Sequence, residues 1–175
     1  MILSVHAIFG AAVASLVPTH PVEAFTLGFA SHFVLDVIPH RDYDLISLEY
    51  GSDGKIKPIS LLEIMERKFK LVRDLCLISF DALLGLILAF MFFFNPIHPV
   101  IFLAGAIGSL IPDGMTFLFL IFKHHSLGLF YRVHSSFFHS KFVLKLNQMT
   151  GVIFQYFTIT VLIAIIFTTK FLLDL

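Results

Sequence analysis

The sequence predicts an all-α, polytopic membrane helical bundle of about five membrane helices with two amphipathic interfacial helices. Three observations carry that expectation: 58% of the 175 residues are hydrophobic, only 14% are charged, and the mean hydropathy is +0.93. Apolar surface on that scale exceeds what a water-soluble fold of this length can hide. A soluble cytosolic enzyme is therefore excluded, and the lipid bilayer is the first partner. The 22 Phe and the lack of Trp fit the lipid phase, because Phe is indifferent to lipid whereas Trp prefers the interface. Twelve basic and 12 acidic residues cancel, so no global field calls for nucleic acid. Cys76 is the single cysteine, which excludes an intramolecular disulfide and a cysteine-built zinc site.

Spanning about 30 Å of hydrocarbon takes roughly 20 apolar residues. Ile2–Val17 and Val22–Ile38 are short runs separated by Pro18, Thr19, His20 and Pro21, whose prolines end one helix and start the next. They read as a tight helical hairpin. Ala12-Val13-Ala14 resembles a leader cleavage site, but the start Met1-Ile2-Leu3-Ser4-Val5 lacks the basic residue a secretory leader needs. Asp74–Asn95 is the third run, closed by Asn95-Pro96, and Val100–Phe122 follows a turn holding His98 and Pro99. Gly151–Thr169 is the fifth. Residues 39–72 read as a cytoplasmic loop with a Gly51-Ser52-Asp53-Gly54 turn, then an interfacial helix opened by a Ser60/Glu63 capping box. Residues 126–146 are a second interfacial segment, alternating aromatics with Arg132, His134, His139, Lys141 and Lys145. Gly10, Ala11, Ala14, Gly105, Gly108 and Ser109 read as close helix contacts. The whole chain, 1–175, forms one membrane domain. With the N-terminus cytoplasmic, eleven of the twelve basic residues fall on the cytoplasmic side and only Lys170 outside, which sets the orientation.

That map gathers titratable groups at one depth. His6 is just inside the first helix, His32 and Asp36 lie near the end of the second, and His40 is at its exit. Asp81 sits two turns into the third helix, Asp113 near the end of the fourth, and His134 and His139 in the segment beyond. An ionised Asp at the bilayer centre is disfavoured by roughly 2.5–3.5 kcal/mol, so such groups face a bundle interior and find partners. Arg73 is the nearest cation, too little for Asp36, Asp81 and Asp113 together; a divalent metal ion suits them better. His32 and Asp36, four residues apart, project from one helix face, as two ligands from one rigid element do. Imidazole with carboxylate suits Zn, Mn or Fe. Taken singly, each residue is more often interhelical hydrogen-bonding glue than a ligand; convergence from five segments favours the metal. His124 and His125 read as cations complementing a helix end, Asp74 as a partner of Arg73 or Lys70, and Asp42 as an outer ligand beside His40.

The segments Ser31-His32-Phe33-Val34-Leu35-Asp36, Ile38-Pro39-His40-Arg41-Asp42, Ile111-Pro112-Asp113 and His134-Ser135-Ser136-Phe137-Phe138-His139-Ser140 resemble the predicted membrane-bound metal-dependent hydrolases of bacterial inner membranes. The resemblance covers residues 6 to about 140. It implies an inner-membrane location, a Pro-Asp turn at Asp113, and ligand roles for His6, His32, Asp36, His40, Asp113, His134 and His139. Ser135 and Ser136 stand where that family carries Arg and Gly, and Phe138 where it carries Thr; Arg132 is a replacement for the missing cation.

A His/Asp-bound divalent metal, Zn or Mn foremost, would serve a hydrolase acting on a phospholipid or another phosphoester at the cytoplasmic leaflet. The ligand count allows two ions. Arg41, Arg132 and Lys141 are candidate phosphate contacts, and Asp36 or Asp42 a general base where it is not a ligand. The sequence holds no apparent Ser-His-Asp pattern and no Gly-rich phosphate loop. Two other readings remain: a metal transporter or channel, which needs polar groups continuing to the far side where His20 and His98 stand, and a non-catalytic structural protein whose ionisable groups pair with one another.

Overall fold

The computed structural model of the protein describes residues 1–47, 66–122, 125–134 and 147–172. Within them the chain forms six helices and no strand: α1 Leu3–Ala14, α2 Pro21–Val37, α3 Lys68–Phe93, α4 Val100–Phe122, α5 His125–Val133 and α6 Gln148–Leu172. The Ser60/Glu63 capping box, the 51–54 turn, His124, His139, Lys141 and Lys145 lie outside the described residues.

Three helices are long and apolar enough to cross a membrane: Lys68–Phe93, Val100–Leu120 and Gln148–Thr169. They turn large apolar side chains outward, Phe80 at 71% exposure and Phe157 at 66%, a surface suited to lipid. The first two runs, expected as spans, fall short of that. A 12-residue helix such as α1 rises only about 18 Å, little more than half the hydrocarbon thickness. It ends at Ala14, where the Ser15 N–H closes the last turn onto Ala11 and Ala12, four residues before Pro18. All but two of its residues are buried, so α1 is a core helix enclosed by α2, α3, α4 and α6. Helix α2 starts with Pro at its first position and Glu23 in its first turn, both suited to a helix N-terminus. Its 17 residues include Glu23, His32 and Asp36, which make it shorter and more polar than a span. Helix α3 runs unbroken from Lys68, absorbing the end of the predicted interfacial segment, and Val100–Phe122 is one helix despite Pro112.

Helices α1, α2 and α4 cross at glycines. A Cβ on Gly28 would fall on the Gly105 backbone, one on Gly105 on Ala14 and the Gly10 carbonyl, and one on Gly108 on the Phe25 carbonyl. Backbones that close let α2 and α4 present adjacent side chains at one depth.

The 38–47 connection is fastened at three points. Asp81 of α3 accepts hydrogen bonds from the Ser4 N–H at 2.9 Å and Ser4 Oγ at 2.6 Å, and from the Tyr43 hydroxyl. The Leu3 N–H donates to that hydroxyl at 2.8 Å. Buried Gln155 of α6 accepts from the Ile2 N–H and donates to the Arg41 carbonyl. Asp74 accepts from the Ser47 N–H at 2.8 Å and from Arg73 at 2.7 Å. Burial and then the Asp81 carboxylate hold the Tyr43 phenol above the ordinary tyrosine range, so it stays a donor. Tyr43→Phe is expected to destabilise the protein by about 1–3 kcal/mol, because Asp81 and the Leu3 N–H each lose a shielded partner. A denaturation midpoint in detergent unchanged from the parent would show that the hydroxyl does not hold this loop.

Candidate metal centre

The centre is built from α2 upward. His32 and Asp36, one helical turn apart, are both fully buried, and His32 Nε2 lies 3.1 Å from Asp36 Oδ2. From the end of α5, His134 Nε2 reaches Asp36 Oδ2 at 2.9 Å and His32 Nε2 at 3.1 Å. Asp113 of α4 adds an oxygen 3.7 Å from His32 Nε2. Each of these four residues offers a ligand atom, all within 4.8 Å of one another, so the cluster can hold a metal ion. A tetrahedral shell with ligands about 2.1 Å from its centre sets them about 3.4 Å apart, close to the spacings here.

Proton placement argues in the same direction. His32 Nδ1 faces the Ser109 carbonyl at 2.8 Å, so that nitrogen carries the hydrogen and donates. When neutral, His32 presents a lone pair at Nε2, 3.1 Å from both Asp36 Oδ2 and His134 Nε2, where a shared proton or a cation can sit. The His134 ring is held through its Nδ1, 2.9 Å from Thr116 Oγ1. Metal-binding imidazoles usually anchor the remote nitrogen to a carbonyl, carboxylate or water in this fashion. Phe33 and Phe130 lie against the His134 ring, with centroids at 5.7 and 5.9 Å, and screen it from water. Asp113, 28% exposed, is the member that opens outward.

Other candidates from the sequence lie around this centre. His6, fully buried, stacks on His32 with ring centroids 4.1 Å apart, and its Nε2 faces Asp36 Oδ1 at 3.3 Å. His40 donates from Nδ1 to the Ile38 carbonyl at 2.7 Å and turns Nε2 to Asp42 Oδ1 at 3.1 Å. The Met1 amino nitrogen lies 2.8 Å from Asp42 Oδ1 and 3.4 Å from Asp36 Oδ1. Asp81 is engaged elsewhere: its oxygens are taken by Ser4 and Tyr43, which makes it a clamp on α1 rather than a member of the four-residue cluster. Arg132 donates from Nε to the Gly128 carbonyl at 3.3 Å, and Arg41 pairs with Asp44 at 2.8 Å. Asp113 sits within a continuous helix, not in the turn the family resemblance implies.

Thr116 and the Ser109 carbonyl orient the imidazoles, yet neither was identified from the sequence in that role. Ser109, Asp113 and Thr116 recur at helical spacing on one side of an otherwise apolar helix, a polar stripe that marks them. No protein-family model, curated protein or solved structure matches the chain.

Proposed function

We propose that the protein is a membrane-embedded, divalent-metal-dependent hydrolase of the bacterial inner membrane whose site opens at the cytoplasmic leaflet and cleaves a phosphoester, a phospholipid or another phosphorylated amphiphile. The observation that carries this reading is the convergence of the buried His32, Asp36 and His134 ligand atoms at 2.9–3.1 Å, with Asp113 alongside. Two imidazoles and two carboxylates suit Zn or Mn. Such an ion supplies acidified water and an electrophile for a phosphoryl oxygen. The protein's own groups divide the remaining work. Asp36 holds the imidazoles in place, and Asp42, 46% exposed, stands at the mouth beside His40. Arg132, exposed on α5, can meet the phosphate. The basic residues assigned to one side, eleven of twelve, support a cytoplasmic opening toward anionic headgroups. The motif resemblance to inner-membrane metal-dependent hydrolases supports the same chemistry.

Purified protein is expected to hold a stoichiometric divalent metal and to release phosphate or a phosphorylated headgroup from detergent-dispersed phospholipid. Chelation should abolish that activity and added Zn or Mn restore it. Metal without hydrolysis of any phosphoester would point instead to a carrier, and neither metal nor hydrolysis to a structural bundle.

A further inference from the structure

The Asp36 carboxylate faces two ways. Oδ2 belongs to the centre already described, while Oδ1 looks toward His6 Nε2 at 3.3 Å. On that side neither ring nitrogen of His6 has a hydrogen-bond partner among the described residues, although the ring is fully buried. Shielding such a ring with nothing nearer to Nε2 than Asp36 Oδ1 at 3.3 Å costs about 1–3 kcal/mol, so a closer partner at Nε2 would stabilise it. Across from it, His40 uses Nδ1–H on the Ile38 carbonyl and therefore, when neutral, directs a lone pair from Nε2 toward Asp42 Oδ1, 3.1 Å away. A shared proton or neighbouring positive charge joins two such groups. Asp36 Oδ1 and Asp42 Oδ1 face one point, where the Met1 nitrogen lies 3.4 and 2.8 Å from them. Positive charge is thus already drawn to this place.

We infer that the Oδ1 side of Asp36 is a second divalent-cation position, formed by His6, His40 and Asp42, so that the Asp36 carboxylate bridges two ions. A divalent ion there takes the place of the amino nitrogen between the two carboxylates. His6 cannot serve the first position in the same role, because its Nε2 is directed at the opposite oxygen of Asp36. Paired ions about 3.5–4 Å apart are the arrangement that clamps both the attacking and leaving oxygens of a phosphoester. The inference rests on the metal centre proposed above and deepens it.

Mn(II) titration of the purified full chain in detergent, followed by electron paramagnetic resonance, tests it. The parent protein is expected to bind about two Mn(II) per chain with an exchange-coupled spectrum. His6→Gln and Asp42→Asn are each expected to halve the stoichiometry and leave an uncoupled signal. Asp42 is half exposed, so its variant decides the matter if His6→Gln does not fold. A single uncoupled Mn(II) that disappears with His134→Ala but survives both of the other variants would overturn the second position and leave the first intact. No bound Mn(II) in the parent would overturn both.

Discussion

Asp36→Asn is expected to weaken divalent-metal binding by a hundredfold or more. The side chain is 1% exposed and meets His32 and His134 through one oxygen and His6 through the other. An amide keeps the volume but removes the negative charge that these imidazoles share. It also sets an NH2 donor against groups that already face it or the metal with nitrogen. Removing one partner from a buried charged group costs about 3–5 kcal/mol, and each 1.4 kcal/mol is about tenfold in affinity. Isothermal titration with Zn or Mn reads the effect directly. Binding within about threefold of the parent would mean that Asp36 is a structural acceptor and that any ion sits elsewhere; a tenfold step corresponds to about 1.4 kcal/mol.

Gly28→Ala is the second large effect, and it acts through the scaffold. The added methyl would strike the carbonyl carbon, oxygen and Cα of Gly105, backbone atoms that cannot rotate away. Helices α2 and α4 must then separate, and with them the residues that set His32 and Asp36 against Asp113. Overpacking typically costs about 1–3 kcal/mol, and contact with backbone in place of a flexible side chain puts this variant at the upper end. A lowered thermal midpoint and weaker metal binding are both expected. Gly114→Ala is the control, placed on α4, the helix against which Gly28 packs, because a Cβ there meets nothing within 4 Å. It should be neutral or stabilising by about 0.5–1 kcal/mol. Equal behaviour of the two variants would remove the glycine crossing from the account.

Much of this arrangement can be read from residues alone, for identifiable reasons. His32 and Asp36 are legible because four-residue spacing on a helix needs no tertiary knowledge. Gly10, Gly105 and Gly108 are legible as contact residues because small side chains within apolar helices have few other uses. Depth is a weaker guide than spacing. Asp81 shares the depth of the cluster, yet its oxygens go to Ser4 and Tyr43. Hydropathy does not show which way a side chain points around its helix, nor that a tyrosine from a distant loop will meet it. The short N-terminal runs mislead for a related reason. Apolar composition is shared by a lipid-facing span and a fully enclosed core helix, and only length separates them. At 12 residues, α1 is the enclosed kind, which is how His6 comes to stack on His32 deep within the bundle. Thr116 is hidden until α5 folds back, since nothing local to α4 announces a histidine from the following helix.

X-ray absorption at the zinc edge, on protein loaded with one equivalent of zinc in detergent, reads the ligand shell itself. A shell of nitrogen and oxygen with two imidazoles is expected, falling to one in His134→Ala or in His32→Ala and to none when both are replaced. A zinc shell without imidazole, or one that neither substitution alters, would contradict it.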